Sequence, residues 1–167
     1  MAKANRPPGA VDVGLRVEAC IADDDEAAFV VMRRRVASRV LAQYPHWDYL
    51  EAIGLRLPEA FVQIARRTDG VKAEAEAAPL MPREVVESMV LAGNAARCAE
   101  QLARGLGPRI THLTVRPHAV PGQDVADVIR AFAQDVVPRV RRMKGWPAPS
   151  EPPCRPTLEA RPPPPGP

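Results

Sequence analysis

Val11-Asp-Val-Gly-Leu-Arg-Val-Glu-Ala-Cys-Ile21 decides the fold class. Val11, Val13, Leu15, Val17 and Ala19 recur at every second position, the spacing that places side chains on one face of a strand. An acidic run follows, Asp23-Asp24-Asp25-Glu26. Asp23 with Glu26 three residues later has the form of a capping box, and acids favour the positive end of a helix. Ala28, Met32, Val36 and Val40 then stand at helical spacing. A helix is predicted from about Asp24 to Tyr44, ended by Pro45. A strand leading directly into a long helix is the opening unit of an α/β protein.

Short helical pieces are predicted next, over His46–Ile53, Pro58–Arg67 and Val71–Ala78. Another runs from Pro82 to about Ala92, with Val85, Val86, Met89 and Val90 apolar, and Gly93-Asn94 breaks it. Asn94 is a suitable cap for a helix over Ala95–Arg104. The second strand is Ile110-Thr-His-Leu-Thr-Val-Arg116, closed by Pro117. Its mostly uncharged, β-branched composition suits a strand covered on both faces. The last helix spans about Gln123 to Arg142, with Val125, Val128, Ile129, Phe132, Val136 and Val140 as its buried stripe and Pro138 as a kink. Strand, helices, strand, helix predicts two parallel strands with the helices as crossover. Two parallel strands are too few for a stable sheet.

The chain has 167 residues, 46% of them hydrophobic, and a net charge of +3. Ten of its 20 prolines lie between Pro147 and Pro167. The expected organisation is a disordered lead over 1–10, a folding body over 11–145 and a proline-rich disordered tail over 146–167. Residues 139–167 carry six basic and two acidic groups, whereas residues 1–138 carry 17 and 18. The positive excess therefore sits in the tail, which argues against a nucleic-acid partner, since those proteins spread basic charge over the folded surface. No apolar run reaches transmembrane length and no secretory leader pattern stands at the N-terminus, so no membrane association and a cytoplasmic location are expected. Cys20, Cys98 and Cys154 are an odd, widely spaced set, read as idle thiols in a reducing compartment.

Leu91-Ala92-Gly93-Asn94, then Ala99-Glu100-Gln101-Leu102, then Thr111-His112-Leu113-Thr114-Val115 resemble the C-terminal region of the bacterial luciferase-like monooxygenases, including the deazaflavin-dependent members. That family has a helix ending in an Ala-Gly step, a short capped helix and a glycine turn into a strand of Val-Asp-His-Val-Val-Leu type. Val11–Cys20 with Asp23-Asp24-Asp25-Glu26-Ala27-Ala28 resembles the preceding strand and helix start, and Asp124–Arg141 the closing helix. Asn94-Ala95-Ala96 departs from the family's usual Thr-Pro-Glu. The resemblance implies the C-terminal segment of a TIM-type (β/α)8 barrel, with two of its eight strands. It implies a flavin- or deazaflavin-dependent oxidoreductase, with FMN or a deazaflavin coenzyme and a small organic substrate as partners. A two-strand segment exposes apolar edges, so self-association is expected. Alternative readings are a non-catalytic fragment, or a small helical interaction protein with a proline-rich tail.

Barrel enzymes place their chemistry at the C-terminal ends of strands. Those ends are Cys20-Ile21 and Arg116-Pro117-His118. Arg116 and His118 are the cofactor-binding candidates, as partners for a flavin phosphate or an anionic substrate. The competing reading makes Arg116 a surface loop residue and His118 merely exposed. His112 reads as a packed or hydrogen-bonded histidine. Arg33-Arg34-Arg35 points three ways round a helix, and Tyr44, Trp47 and Tyr49 read as a local core rather than a cofactor wall. No metal site and no catalytic acid, base or nucleophile is assigned.

Overall fold

A computed structural model of the chain describes residues 13–67 and 71–145. The lead over 1–10, the tail over 146–167 and Cys154 lie outside the described residues. Strand β1 (Gly14–Ile21) feeds helix α1 (Asp25–Ala42). Four shorter helices follow: α2 (Asp48–Glu51), α3 (Glu59–Arg66), α4 (Val71–Ala77) and α5 (Arg83–Met89). Strand β2 (Leu91–Gly93), helix α6 (Ala95–Gly105) and strand β3 (His112–Pro117) come next. The described part closes with α7 (Val125–Ala131), a π-helical turn over Phe132–Val136 and α8 (Val137–Lys144).

The α/β class and the parallel β1–β3 pair are as expected. Gly14 stands beside His112, and the register runs to Ala19 beside Pro117. A third parallel strand, β2, joins the other edge of β1, with Ala19 to Ile21 beside Leu91 to Gly93. The sheet order is thus β2-β1-β3. Ala19 and Ile21 belong to an apolar cluster with Cys98, Leu102, Val128, Phe132, Val136 and Val140. Cys20, on the opposite face, belongs to a second cluster with Phe29, Met32, Val36, Phe61, Val85 and Val86. Helices therefore cover both faces of β1, and three parallel strands with covering helices are consistent with part of a TIM-type barrel.

The structure corrects several local expectations. The helix predicted up to Ala92 stops at Met89, Val90 is extended (φ −146°, ψ 165°), and Leu91–Gly93 is strand. Three apolar residues carry no period of their own. The unpaired edge of β1 is what makes them strand. The N-cap of α1 is Asp24 rather than Asp23, its carboxylate accepting from the amides of Glu26 (2.9 Å) and Ala27 (3.1 Å). β3 is covered on one face only. Leu113 and Val115 pack on the α6 side, while His112, Thr114 and Arg116 are exposed.

Val125 and Ile129 leave the expected stripe of the last helix and are exposed, at 46% and 47%. Val128, Phe132, Val136 and Val140 are buried at a strict spacing of four. Three such steps would rotate the stripe by about 120° round a regular α-helix. The π-helical turn, with its wider coil, takes up that drift and keeps all four on the core. Pro138 then falls in the first turn of α8, where its missing donor costs little.

Candidate functional site

Glu18 is the central residue of β1's α1-facing side and is 3% exposed. A carboxylate buried to that extent requires charged partners. Arg35 Nε donates to its Oε2 at 2.9 Å, and Arg39 Nη2 donates to its Oε1. Both arginines come from one face of α1, four residues apart. From the other side, His118 Nε2 lies 3.1 Å from Oε2 and Arg116 Nη1 lies 3.8 Å from Oε1. Glu18 and Arg116 are register partners, and the amide of His118 donates to the Ala19 carbonyl at 2.8 Å. The strand pairing itself thus delivers both β3 groups to the carboxylate.

Burial alone would raise the Glu18 pKa. The Arg35 hydrogen bond and the charges of Arg39, Arg35 and His118 outweigh it and hold the carboxyl below its ordinary range. Burial pushes the His118 pKa down, the Glu18 carboxylate pulls it up, and Arg35 and Arg116 push it down again. The balance lies below the ordinary value, so the imidazole is neutral at neutral pH. Three guanidiniums then face one carboxylate, leaving two positive charges over. The Arg116 side chain is 51% exposed and is the least committed of the three. The cluster can hold an anion by bidentate guanidinium contacts. It contains no activated nucleophile.

The two cofactor-binding candidates, Arg116 and His118, come together here on one carboxylate. Sequence reasoning missed Glu18, Arg35 and Arg39. The available signal was a glutamate between two apolar strand positions, together with arginines four apart on the helix that follows.

The other candidates have structural roles. Arg33 lies over the Phe29 ring at 5.6 Å, Arg34 pairs with Glu74 at 2.6 Å and Arg35 with Glu18, so the triplet does point three ways. Trp47 donates to the Val40 carbonyl at 2.8 Å and packs against Tyr44 and Phe61, while Tyr49 donates to Gln43 at 2.6 Å. These aromatics form a local cluster under the end of α1. The His112 ring covers Gly14, so closely that a Cβ there would fall 2.3 Å from its Nε2. Burial pushes the thiol of Cys20 up to about 11 and that of Cys98 up to about 12.

A second polar cluster joins the loop after β1 to the turn after β2. Asp25 accepts from the Asn94 amide at 2.6 Å, Arg97 pairs with Glu87 at 2.6 Å, and Arg83 reaches Glu26 at 2.5 Å. Asp25 occupies the place at the α6 N-terminus where an external anion would otherwise sit.

A family model described as luciferase-like monooxygenase matches residues 1–111. The chain belongs to that family. The match spans β1 through α6 and includes Glu18, Arg35 and Arg39. It stops before β3, so Arg116 and His118 lie beyond it. No curated protein and no solved structure matches the chain. No helix among the described residues is long and apolar enough to cross a membrane.

Proposed function

We propose that this luciferase-like chain is part of a flavin- or deazaflavin-dependent oxidoreductase, and that the Glu18 cluster holds the anionic end of the cofactor or of an acidic substrate. The observation that carries the reading is the surplus of two positive charges gathered on one buried carboxylate at the β1–β3 junction. The donor set suits a phosphate: guanidinium forks from Arg116 and Arg39, while neutral His118 gives its one N–H to Glu18 and holds that carboxylate in place. It does not suit the flat ring. Trp47 is packed against Phe61, and Tyr44 against Trp47. The ring would need surfaces from further strands, supplied in a larger assembly. Such a cofactor would supply the redox chemistry, and these residues would anchor and orient it.

The test is a comparison of FMN with riboflavin, which lacks the phosphate, by fluorescence quenching on the full chain. FMN is expected to bind weakly, above the micromolar range, yet at least tenfold tighter than riboflavin. Arg116→Gln should abolish that difference. Equal affinity for the two ligands would overturn the phosphate assignment.

A non-catalytic assembly component is the second reading. Val125 and Ile129 favour it, because they stand one turn apart and exposed on α7. Self-association through that face, with β3 as an open strand edge, belongs to this reading.

A further inference from the structure

On the α6 face of the sheet, away from Glu18, lies a half-open cavity of about 210 Å³. That is roughly seven times the volume share of one liquid water, enough for a small monocyclic molecule. Its walls are mostly apolar and include Leu15, Val17, Met89 and Leu102. Gln101 lines it as well and is 7% exposed. The Gln101 Oε1 accepts from the Ala92 amide at 3.1 Å, which fixes the orientation of the side chain. Its Nε2 then has no hydrogen-bond partner among the described residues and is closed to water, so a guest meets it only as the cavity wall shifts slightly. A buried amide donor without a partner is costly, and native interiors rarely leave one.

The cavity exists because β2 is short. It pairs only with Ala19 to Ile21. Val13 and Ala19 turn their carbonyls toward β3, at 3.0 and 2.8 Å from the Thr111 and His118 amides. Alternation along the strand therefore turns the main-chain groups of Arg16 toward the β2 side. Arg16 lines the cavity there. Glu87 stands at the same cavity with its carboxylate already paired to Arg97 and Arg83, so it is not free to hold a guest.

We propose that this cavity binds a small neutral carboxamide with an apolar body. The carbonyl of the guest accepts from Gln101 Nε2, its NH2 group faces the strand edge at Arg16, and its body fills the space between Leu15, Val17, Met89 and Leu102. The site is separate from the Glu18 cluster and does not depend on the flavin reading.

The experiment is a titration of the full-length, nitrogen-15-labelled chain with benzamide, followed through the side-chain NH2 signals of Gln101. Saturable movement of those signals is expected. Benzoate, with a charge in place of the amide, and toluene, with no polar group, should each bind at least fivefold more weakly, the equivalent of one neutral hydrogen bond. Gln101→Glu keeps an acceptor for the Ala92 amide and removes the donor, so it should lose benzamide binding by a similar factor. Absence of saturation up to the solubility limit of benzamide would overturn the proposal. So would benzoate or toluene binding as well as benzamide, a result that needs no variant.

Discussion

Glu18 and Arg116 stand side by side on adjacent parallel strands, their carboxylate and guanidinium 3.8 Å apart, one buried and the other half-exposed. Their register sets both the burial of the carboxylate and the surplus of positive charge around it. Arg35 and Arg39 from the helix that follows β1, and His118 from the distant end of β3, complete the cluster.

Glu18→Gln should be strongly destabilising. The variant keeps the shape of the side chain but leaves three arginines without their shared carboxylate. The cost expected is roughly 2 kcal/mol, the scale of hydrogen bonds to charged groups, because the arginines remain partly hydrated. Urea denaturation measures it. An unchanged midpoint would show that the cluster contributes nothing to folding.

Stability should fall in two stages on acidification. His118 has a folded pKa below its ordinary 6.5, so the unfolded chain takes up a proton first as the pH drops below about that value. Glu18 has a folded pKa below its ordinary 4.5, so its contribution is present above 4.5 and lost as the pH falls through the folded value. Denaturant midpoints measured across this range should show both stages. His118→Asn should remove the upper one and leave the lower. A flat profile between pH 7 and 5 in the unmodified chain would contradict the first.

Gly93→Ala should be poorly tolerated. Gly93 has φ +128°, and a Cβ there would lie 2.8 Å from both Asp25 Oδ1 and Arg97 Cδ. The variant would strain the backbone and push Asp25 away from the Asn94 amide. A loss of about 1–3 kcal/mol is expected, the range for a residue forced into a sparsely populated backbone region, read as a drop in melting temperature. An unchanged melting temperature would mean that the turn after β2 relaxes freely.

Cys20 and Cys98 should be protected from thiol reagents in the native chain. Both are buried, with pKa values raised to about 11 and about 12. At pH 8 their labelling should proceed only through opening of the fold, and denaturant should accelerate it by orders of magnitude. Rapid native labelling of both would show that the core is molten.

Much of the secondary structure was legible in the sequence. The period-two run ending at Ile21, the spacing of Met32, Val36 and Val40, and the Asn94 cap are local signals, and each corresponds to an element. Local signals suffice where an element's own residues carry its period or its cap. β2 carries neither, and it became strand because β1 had an unpaired edge to offer. The order β2-β1-β3 also lay beyond the sequence, since period and composition report the faces of a strand and say nothing of its neighbours. The candidate site followed the same division. Arg116 and His118 were found from their place after a strand. Glu18 read as one polar residue in an alternating strand until the β1–β3 register and the face of α1 set two arginines against it. Sequence determined which residues could bury their apolar faces. Tertiary structure alone decided which charges would be buried with them, because electrostatic partners are chosen by distance in space and not by separation along the chain.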